Sequence, residues 1–291
     1  MPCSGCPLST PLEKVILDLA SETKVSVKLC KEKPPVTIIG AGPAGIAFGI
    51  YMTQYGYRVT IYERENQIGG MMRYGIPDFR FNKDVIQELE VSVKKMGIKI
   101  KKNISYTKCG KGITVVATGA GVSKKLGIEG EDNSEFVIGA LEFLKQQEHD
   151  ICGKKVAIIG GGNVAVDCAM VTATQGADAT IYYRKNESDL SICLKERVKS
   201  RKQGVHYELC MSPKRFEDKK IIFEKDGEEI IVKADIAIVA IGQGIDTNVF
   251  KEKDLLFLGD CVTGTSTVID VIGAARKLAN ELNHVNDVSC E

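Results

Sequence analysis

Residues 36–80 constrain this chain more than any other stretch: VTIIGAGPAGIAFGIYMTQYGYRVTIYERENQIGGMMRYGIPDFR. A β-branched run, Val36-Thr37-Ile38-Ile39, breaks on Gly40-Ala41-Gly42. It passes through Pro43-Ala44-Gly45 into an apolar helical pattern that ends near Gly56. A second strand, Arg58 to Tyr62, delivers Glu63, 23 residues after Gly40. G-x-G-x-x-G between a strand and a helix, with an acid at that distance, is the pattern of a dinucleotide-binding βαβ unit. Gly40 permits the tight turn, Gly42 lets the backbone approach a pyrophosphate, and Gly45 lets the helix pack close to the sheet. The helix N-terminus offers unpaired N–H groups and partial positive charge to the phosphates. Glu63 is placed to accept hydrogen bonds from the adenosine ribose hydroxyls.

The pattern recurs downstream. Lys155-Val156-Ala157-Ile158-Ile159 leads into Gly160-Gly161-Gly162-Asn163-Val164-Ala165, then a helix, Gly176 and a strand from Ala179 to Tyr183. This is G-x-G-x-x-A in the same setting. At the end of its second strand the first unit has Glu63, whereas the second has Arg184-Lys185. Cationic side chains there suit the 2′-phosphate of NADP, while an acid favours NAD or FAD. Exposed strand-end charges with no ligand are the alternative reading. The expectation is a second nucleotide site that prefers NADP(H) to NAD(H).

A chain of 291 residues has room for about two domains. Its net charge of +1 gives no case for nucleic acid or an anionic membrane as partner. The uncharged stretch from Pro34 to Tyr57 is broken by glycines and prolines and reads as a buried strand and helix, not a membrane span. The ten cysteines are mostly scattered singly, which fits a reducing cytoplasm. There are three histidines and no H-E-x-x-H, so the sequence carries no catalytic zinc signature. Residues 1–33 read as a short leader. Cys3 and Cys6 have C-x-x-C spacing, and Cys30 follows a helix-like segment from Pro11 to Ala20. The three cysteines are either iron–sulfur ligands completed by another chain or thiols of a reduced tail.

Other stretches supply the remaining parts. Gly69-Gly70-Met71-Met72-Arg73 opens with two small residues where main chain can lie against a cofactor. Asn82 to Met96 is an amphipathic helix with Val85, Ile86, Leu89, Val93 and Met96 on one face. Strands are expected from Ile98, over Ile113–Ala117 ending in Thr118-Gly119, over Asp235–Ile241 ending at Gly242, and over Leu255–Leu258 ending at Gly259-Asp260. A helix follows from about Ser266, with Thr265, Ser266 or Thr267 as cap. Asp260 can hydrogen-bond a flavin's ribityl chain, and that helix N-terminus can stabilise negative charge on the reduced ring.

The strings GAGPAG, GGMMRYGIPDFR, VVATGA, GGGNVAVD and GDCVTGTSTVIDVIGAARKLA, in this order, resemble the glutamate synthase small-subunit-like flavoproteins. That group includes the FAD/NADPH portion of dihydropyrimidine dehydrogenase and the flavoprotein subunit of electron-bifurcating transhydrogenases. The resemblance runs from Val36 to about Asn283. It implies an α/β fold of two Rossmann-like dinucleotide-binding domains in a glutathione-reductase-like architecture, the NAD(P)H domain inserted into a discontinuous FAD domain. The expected division is a leader (1–33), an FAD-binding domain (34–121 and 246–285), an NAD(P)H-binding domain (122–245) and a tail (286–291). The candidate FAD residues are Gly40, Gly42, Pro43, Ala44, Gly45, Glu63, Arg64, Gly70, Met71, Arg73, Thr118, Gly119, Gly259, Asp260, Thr267 and Val268. The candidate NAD(P)H residues are Gly160, Gly162, Asn163, Val164, Arg184, Lys185 and Gly242.

The implied activity is an FAD-dependent NAD(P)H oxidoreductase subunit passing electrons to or from an iron–sulfur partner, in a bifurcating or glutamate-synthase-like complex. No protein nucleophile is required. An FAD-containing relay or assembly subunit that does not turn over NAD(P)H is the rival. The chain departs from the family's pattern in several places. Its leader is short, the loop between Gly242 and Leu255 is reduced, Lys185 replaces the second arginine, and Leu190-Ser191-Ile192 replaces a Met-Pro-Ala turn. No C-x-x-C lies between Val122 and Ile245, so dithiol exchange of the thioredoxin-reductase kind is not expected.

Overall fold

The computed structural model describes residues 11–132, 135–146, 148–245, 255–264 and 266–288. Cys3, Cys6, Thr265 and most of the loop after Gly242 lie outside the described residues. Among the described residues the chain divides into two compact units, one formed by residues 11–121 and from Ile245 onward, the other by Val122–Gly244.

The first unit opens with α1 (Leu12–Ser21), then β1 (Val36–Ile39), α2 (Pro43–Gln54), β2 (Val59–Tyr62), the short α3 (Met71–Tyr74), α4 (Asp84–Lys95), β3 (Lys99–Lys101) and β4 (Ile113–Val116). The second unit follows with β5 (Val122–Ser123), β6 (Val137–Gly139), α5 (Ala140–Lys145), β7 (Lys155–Ile159), α6 (Asn163–Thr174), β8 (Asp178–Tyr183), α7 (Leu194–Lys202), β9 (His206–Leu209), β10 (Ser212–Glu217), β11 (Lys220–Lys225), β12 (Glu228–Lys233), β13 (Ile236–Val239) and β14 (Gln243–Gly244). The chain then returns to the first unit as β15 (Leu256–Phe257), α8 (Asp260–Thr263) and α9 (Val268–Val288).

Each unit holds a five-stranded parallel sheet, in the orders β15-β4-β1-β2-β3 and β6-β13-β7-β8-β9. The glycine-terminated strand is central in both. Being covered on both faces, β1 is buried at every position, as a parallel strand under helices must be. At the outer edge of the first sheet Lys99 and Lys101 point into solvent, which discourages pairing with another chain. The second unit adds an antiparallel sheet, β10-β11-β12, whose Ile221 and Phe223 are buried against β7 and β13 residues.

The helix from residue 82 is realised as α4, burying Val85, Ile86, Leu89 and Val93, with Lys94 and Lys95 in its last turn where the helix dipole favours cations. Two elements differ from the sequence reading. The leader is not a loose tail where it is described: α1 buries Ile16, Leu19 and Ala20 in the core of the first unit and packs on α4. The final helix continues to Val288, into the stretch read as a tail. Because Ile16 is fully buried, Ile16→Ala is expected to destabilise the first unit by about 2–4 kcal/mol. A urea titration monitored by circular dichroism would read it, and an unmoved midpoint would mean that the leader contributes nothing to the core.

Candidate functional site

In the first unit the glycine-rich turn is fixed by three strand ends. The Gly40 N–H donates to the Tyr62 carbonyl at 2.8 Å, and the Ala117 N–H donates to the Ile39 carbonyl at 2.8 Å. Gly40 has φ +106°, and a Cβ there would collide with the Ala117 carbonyl oxygen. A Cβ on Gly45 would collide with the Gly40 carbonyl oxygen. At Gly42 nothing lies within 4 Å of an added Cβ. Two glycines are therefore required by the protein's own packing, while the third opens onto space beside the first turn of α2. That helix starts at Pro43 and carries no acidic side chain in its first turn. A main-chain wall with nearby free N–H groups fits a pyrophosphate.

The other candidates of this unit gather around that wall. An added Cβ on Gly70 would sit 3.0 Å from Gly42 Cα, and one on Gly259 would sit 2.9 Å from Ala44 Cβ. Gly119 opens onto space beyond β4, with exposed Thr118 before it. Glu63 is buried. One carboxylate oxygen accepts the Ala41 N–H at 2.7 Å, the other the Glu65 N–H at 3.0 Å. The acid thus supports the turn itself, and each oxygen retains a further acceptor direction for a ribose hydroxyl.

Asp260 accepts the Ser266 N–H at 3.0 Å and its hydroxyl at 2.6 Å, pinning the entry to α9. Thr267 caps α9 reciprocally: its hydroxyl accepts the Asp270 N–H at 3.2 Å, and Asp270 accepts the Thr267 N–H at 3.3 Å. Val268 is the first helical residue. Other candidates bond locally. The Arg73 guanidinium donates to the Ile68 carbonyl at 3.1 Å, Arg64 pairs with Glu65 at 3.4 Å, and Met71 packs back on Gly75.

The second unit repeats the backbone bonds that fix the turn. The Gly160 N–H donates to the Tyr182 carbonyl at 3.0 Å, and the Ala240 N–H to the Ile159 carbonyl at 2.8 Å. A Cβ on Gly160 would collide with the Ala240 carbonyl oxygen, whereas Gly162 faces only Ser191 Oγ at 3.5 Å. Asn163 and Val164 form the first turn of α6. Gly242, with φ +111°, accepts the Lys124 N–H at 3.0 Å.

Strand register refines the comparison between the two units. Ile39 pairs with Tyr62 and Ile159 with Tyr182, so the position equivalent to Glu63 is Tyr183, with Arg184 and Lys185 following it. The Tyr183 ring lies where a side chain on Gly161 would be, which is why that residue is glycine. Its hydroxyl donates to the Asp189 carbonyl at 3.0 Å. Arg184 and Lys185 are exposed, and among the described residues neither forms an ion pair.

Ser191 also acts here. Its N–H and its hydroxyl both donate to the Gly161 carbonyl at 3.1 Å, as the Gly69 N–H donates to the Ala41 carbonyl at 2.8 Å in the first unit. Reading the sequence missed the roles of Tyr183, Ser191 and Asp270. The Thr-x-x-Asp spacing of the cap and the 23-residue spacing from Gly160 to Tyr183 were the local signals.

All cysteines among the described residues are free thiols. Cys30 donates to Glu32 at 2.9 Å, and this hydrogen bond lowers the Glu32 pKa. Cys261, next to Asp260, donates to the Leu258 and Val116 carbonyls at 3.1 and 3.3 Å, and burial pushes its pKa up. Among the described residues no group of three His, Cys, Asp or Glu side chains is arranged to hold a metal ion, and no helix is long and apolar enough to cross a membrane.

A family model described as pyridine nucleotide-disulphide oxidoreductase matches residues 34–263. The chain is 32% identical over 276 residues to the NADPH-Fe(3+) oxidoreductase subunit beta of Geobacter sulfurreducens (strain DL-1 / KN400), covering 80% of this chain and 40% of that protein. It is 30% identical over 314 residues to the NAD-dependent dihydropyrimidine dehydrogenase subunit PreT of Escherichia coli O157:H7, covering 96% of this chain and 75% of that one. The fold is that of Lactococcus lactis thioredoxin reductase, with a TM-score of 0.69, 17% identity, and coverage of 86% of this chain and 97% of that one.

The open space at Gly42 and the crowding at Gly45 separate ligand binding from folding. Gly42→Ala is expected to leave the apoprotein's melting temperature within about 2 °C while lowering flavin affinity at least about tenfold. Gly45→Ala is expected to lower the melting temperature itself. Differential scanning fluorimetry and the flavin-to-protein absorbance ratio measure the two effects.

Proposed function

Since the chain belongs to the pyridine nucleotide-disulphide oxidoreductase family, we propose that it is the FAD-dependent NAD(P)H oxidoreductase subunit of a larger complex, exchanging electrons with an iron–sulfur partner and preferring NADPH. The observation that carries the reading is the repeated parallel sheet, with Glu63 under one glycine turn and Tyr183-Arg184-Lys185 beside the other. An acid at the first turn suits an unphosphorylated ribose; an aromatic followed by two cations suits a 2′-phosphate.

A bound FAD would supply hydride acceptance from a nicotinamide and release of single electrons, chemistry that belongs to the cofactors. The protein's residues bind and orient. Gly40, Gly42 and Gly45 with the start of α2 hold the flavin's pyrophosphate, Glu63 its adenosine ribose, and Asp260 its ribityl chain. Gly160 and Gly162 with the start of α6 hold the nicotinamide cofactor's pyrophosphate, and Arg184 and Lys185 its 2′-phosphate.

The names of the relatives divide between NADPH and NAD, so the preference for NADPH rests on this chain's own residues. Both relatives are named as subunits, which supports a partner chain. The chain spans 40% of the Geobacter protein's length. The ten cysteines support a reducing cytoplasm. The relay reading rests on the shortened loop after Gly242, which lies mostly outside the described residues, and on the altered turn at 190–192. Ser191 closes that turn on Gly161 as Gly69 closes the other on Ala41, which favours the enzyme.

Anaerobic mixing of the FAD-loaded protein with each nucleotide tests the proposal. NADPH is expected to bleach the flavin band at about 450 nm faster than NADH. Bleaching by neither would favour the relay. Arg184→Ala is expected to weaken NADPH binding about tenfold and NADH binding less than about twofold, read by titration calorimetry.

A further inference from the structure

The loop that carries Arg184 and Lys185 carries a carboxylate two residues later, and the structure pairs it with two arginines. Glu187 is followed by one helical turn, and the loop is fastened along its length. The Met211 N–H donates to the Tyr183 carbonyl at 2.9 Å, the Cys210 N–H to the Lys185 carbonyl at 3.2 Å, and Ser191 closes on Gly161. Within this frame Glu187 Oε1 meets Arg197 Nη1 at 3.1 Å and Arg201 Nη2 at 3.0 Å, both from α7. Arg197 Nη1 also donates to the Glu187 carbonyl at 3.3 Å.

The two arginines are themselves held. Arg201 lies over the Tyr207 ring at 5.2 Å, and the Tyr207 hydroxyl bonds the buried Ser200 at 2.8 Å. The Arg197 side chain is only 17% exposed, and its Nε is buried without an acceptor. A largely desolvated guanidinium with one N–H unmet depends on the counter-charge it has, which is Glu187.

We propose that Arg197 and Arg201 set the preference for NADPH over NADH by holding the Glu187 carboxylate away from the 2′ position of the nucleotide. This rests on the reading of Arg184 and Lys185 as ligands of the 2′-phosphate. An acid near this strand end accepts hydrogen bonds from a free 2′-hydroxyl and repels a 2′-phosphate. Glu187 is such an acid by its place in the loop, and the arginines silence it. With the clamp closed, the exposed part of the loop presents Arg184 and Lys185. With the clamp broken, Glu187 is free to neutralise that pair and to repel the phosphate dianion. Arg197 and Arg201 are positioning residues, because they act through Glu187.

Calorimetric titration of the FAD-loaded protein with NADP+ and NAD+ tests this without relying on turnover. Arg197→Leu is expected to lower the ratio of NADP+ to NAD+ affinity about tenfold, almost all of it as weaker NADP+ binding. Adding Glu187→Gln to that variant restores the ratio, whereas adding Asp189→Asn, which removes an acid of the same loop outside the clamp, does not. Should Arg197→Leu fold poorly, Arg201→Gln on the exposed side of the clamp shifts the ratio in the same direction by a smaller factor.

An unchanged ratio in the folded arginine variant, or a lowered ratio that Glu187→Gln leaves uncorrected, overturns the inference. The underlying reading fails separately. If Arg184→Ala and Lys185→Ala leave the ratio unaltered, the 2′-phosphate is not bound there. If they lower it while the Arg197 variant does not, that reading stands and the clamp alone is wrong.

Discussion

At the end of β1 three backbone segments come together with no room for a side chain between them: the Gly40 turn, the Ala117 carbonyl at the end of β4, and the first turn of α2 at Gly45. This crowding fixes the direction in which the chain leaves the sheet, and so the position of the α2 N-terminus over the strand ends. Gly70 and Gly259 then lie against Gly42 and Ala44 at the start of that helix. Without the close approach, the open face at Gly42 would have no defined relation to Glu63 or Asp260. The same crowding at Gly160 against Ala240 sets the start of α6 in the second unit.

Much of this was legible because the constraint is local. A β-branched run followed by glycines at fixed spacing has few ways to fold, and the apolar period of α4 identified the face that Val85, Ile86, Leu89 and Val93 bury. The 23-residue spacing from Gly40 to Glu63 already lands on Tyr183 when counted from Gly160, and the strand register places Tyr183 at the acid's position too. What the sequence hid depends on pairing across the sheet. Ser191 acts through a bond to a residue 30 positions away. The α1 segment carries its three buried positions on too short a helix to announce a core, and its burial comes from packing against α4. The cysteines Cys3 and Cys6 and the reduced loop after Gly242 lie outside the described residues and stay as expectations.

The family description names a disulphide, yet the cysteine nearest the Asp260 turn is arranged for another task. Cys261 donates to two backbone carbonyls, and burial raises its pKa, so the thiol form is favoured over the thiolate that attacks disulfides. Cys168 is fully buried and is pushed further in the same direction. Cys168 is a buried thiol and Cys261 a half-buried donor to backbone carbonyls.

The two turns differ by a coupled exchange that bears on nucleotide choice. In the first, Ala41 is followed across the sheet by Glu63, which bonds the Ala41 N–H; in the second, Gly161 is covered by the Tyr183 ring. The alanine methyl has gone where the larger ring has arrived, so the turn stays filled while its acceptor is lost. The phosphate-facing positions Gly42 and Gly162 are left almost unchanged by this exchange, each opening onto space or onto a single distant hydroxyl. The difference between the units is thus confined to the strand end, where a carboxylate recognises ribose hydroxyls and an aromatic cannot. On the proposed reading, a fold repeated with the same relative strand positions separates its two nucleotides at the ribose, and the charge of the loop after Tyr183 is what would choose between a free and a phosphorylated ribose.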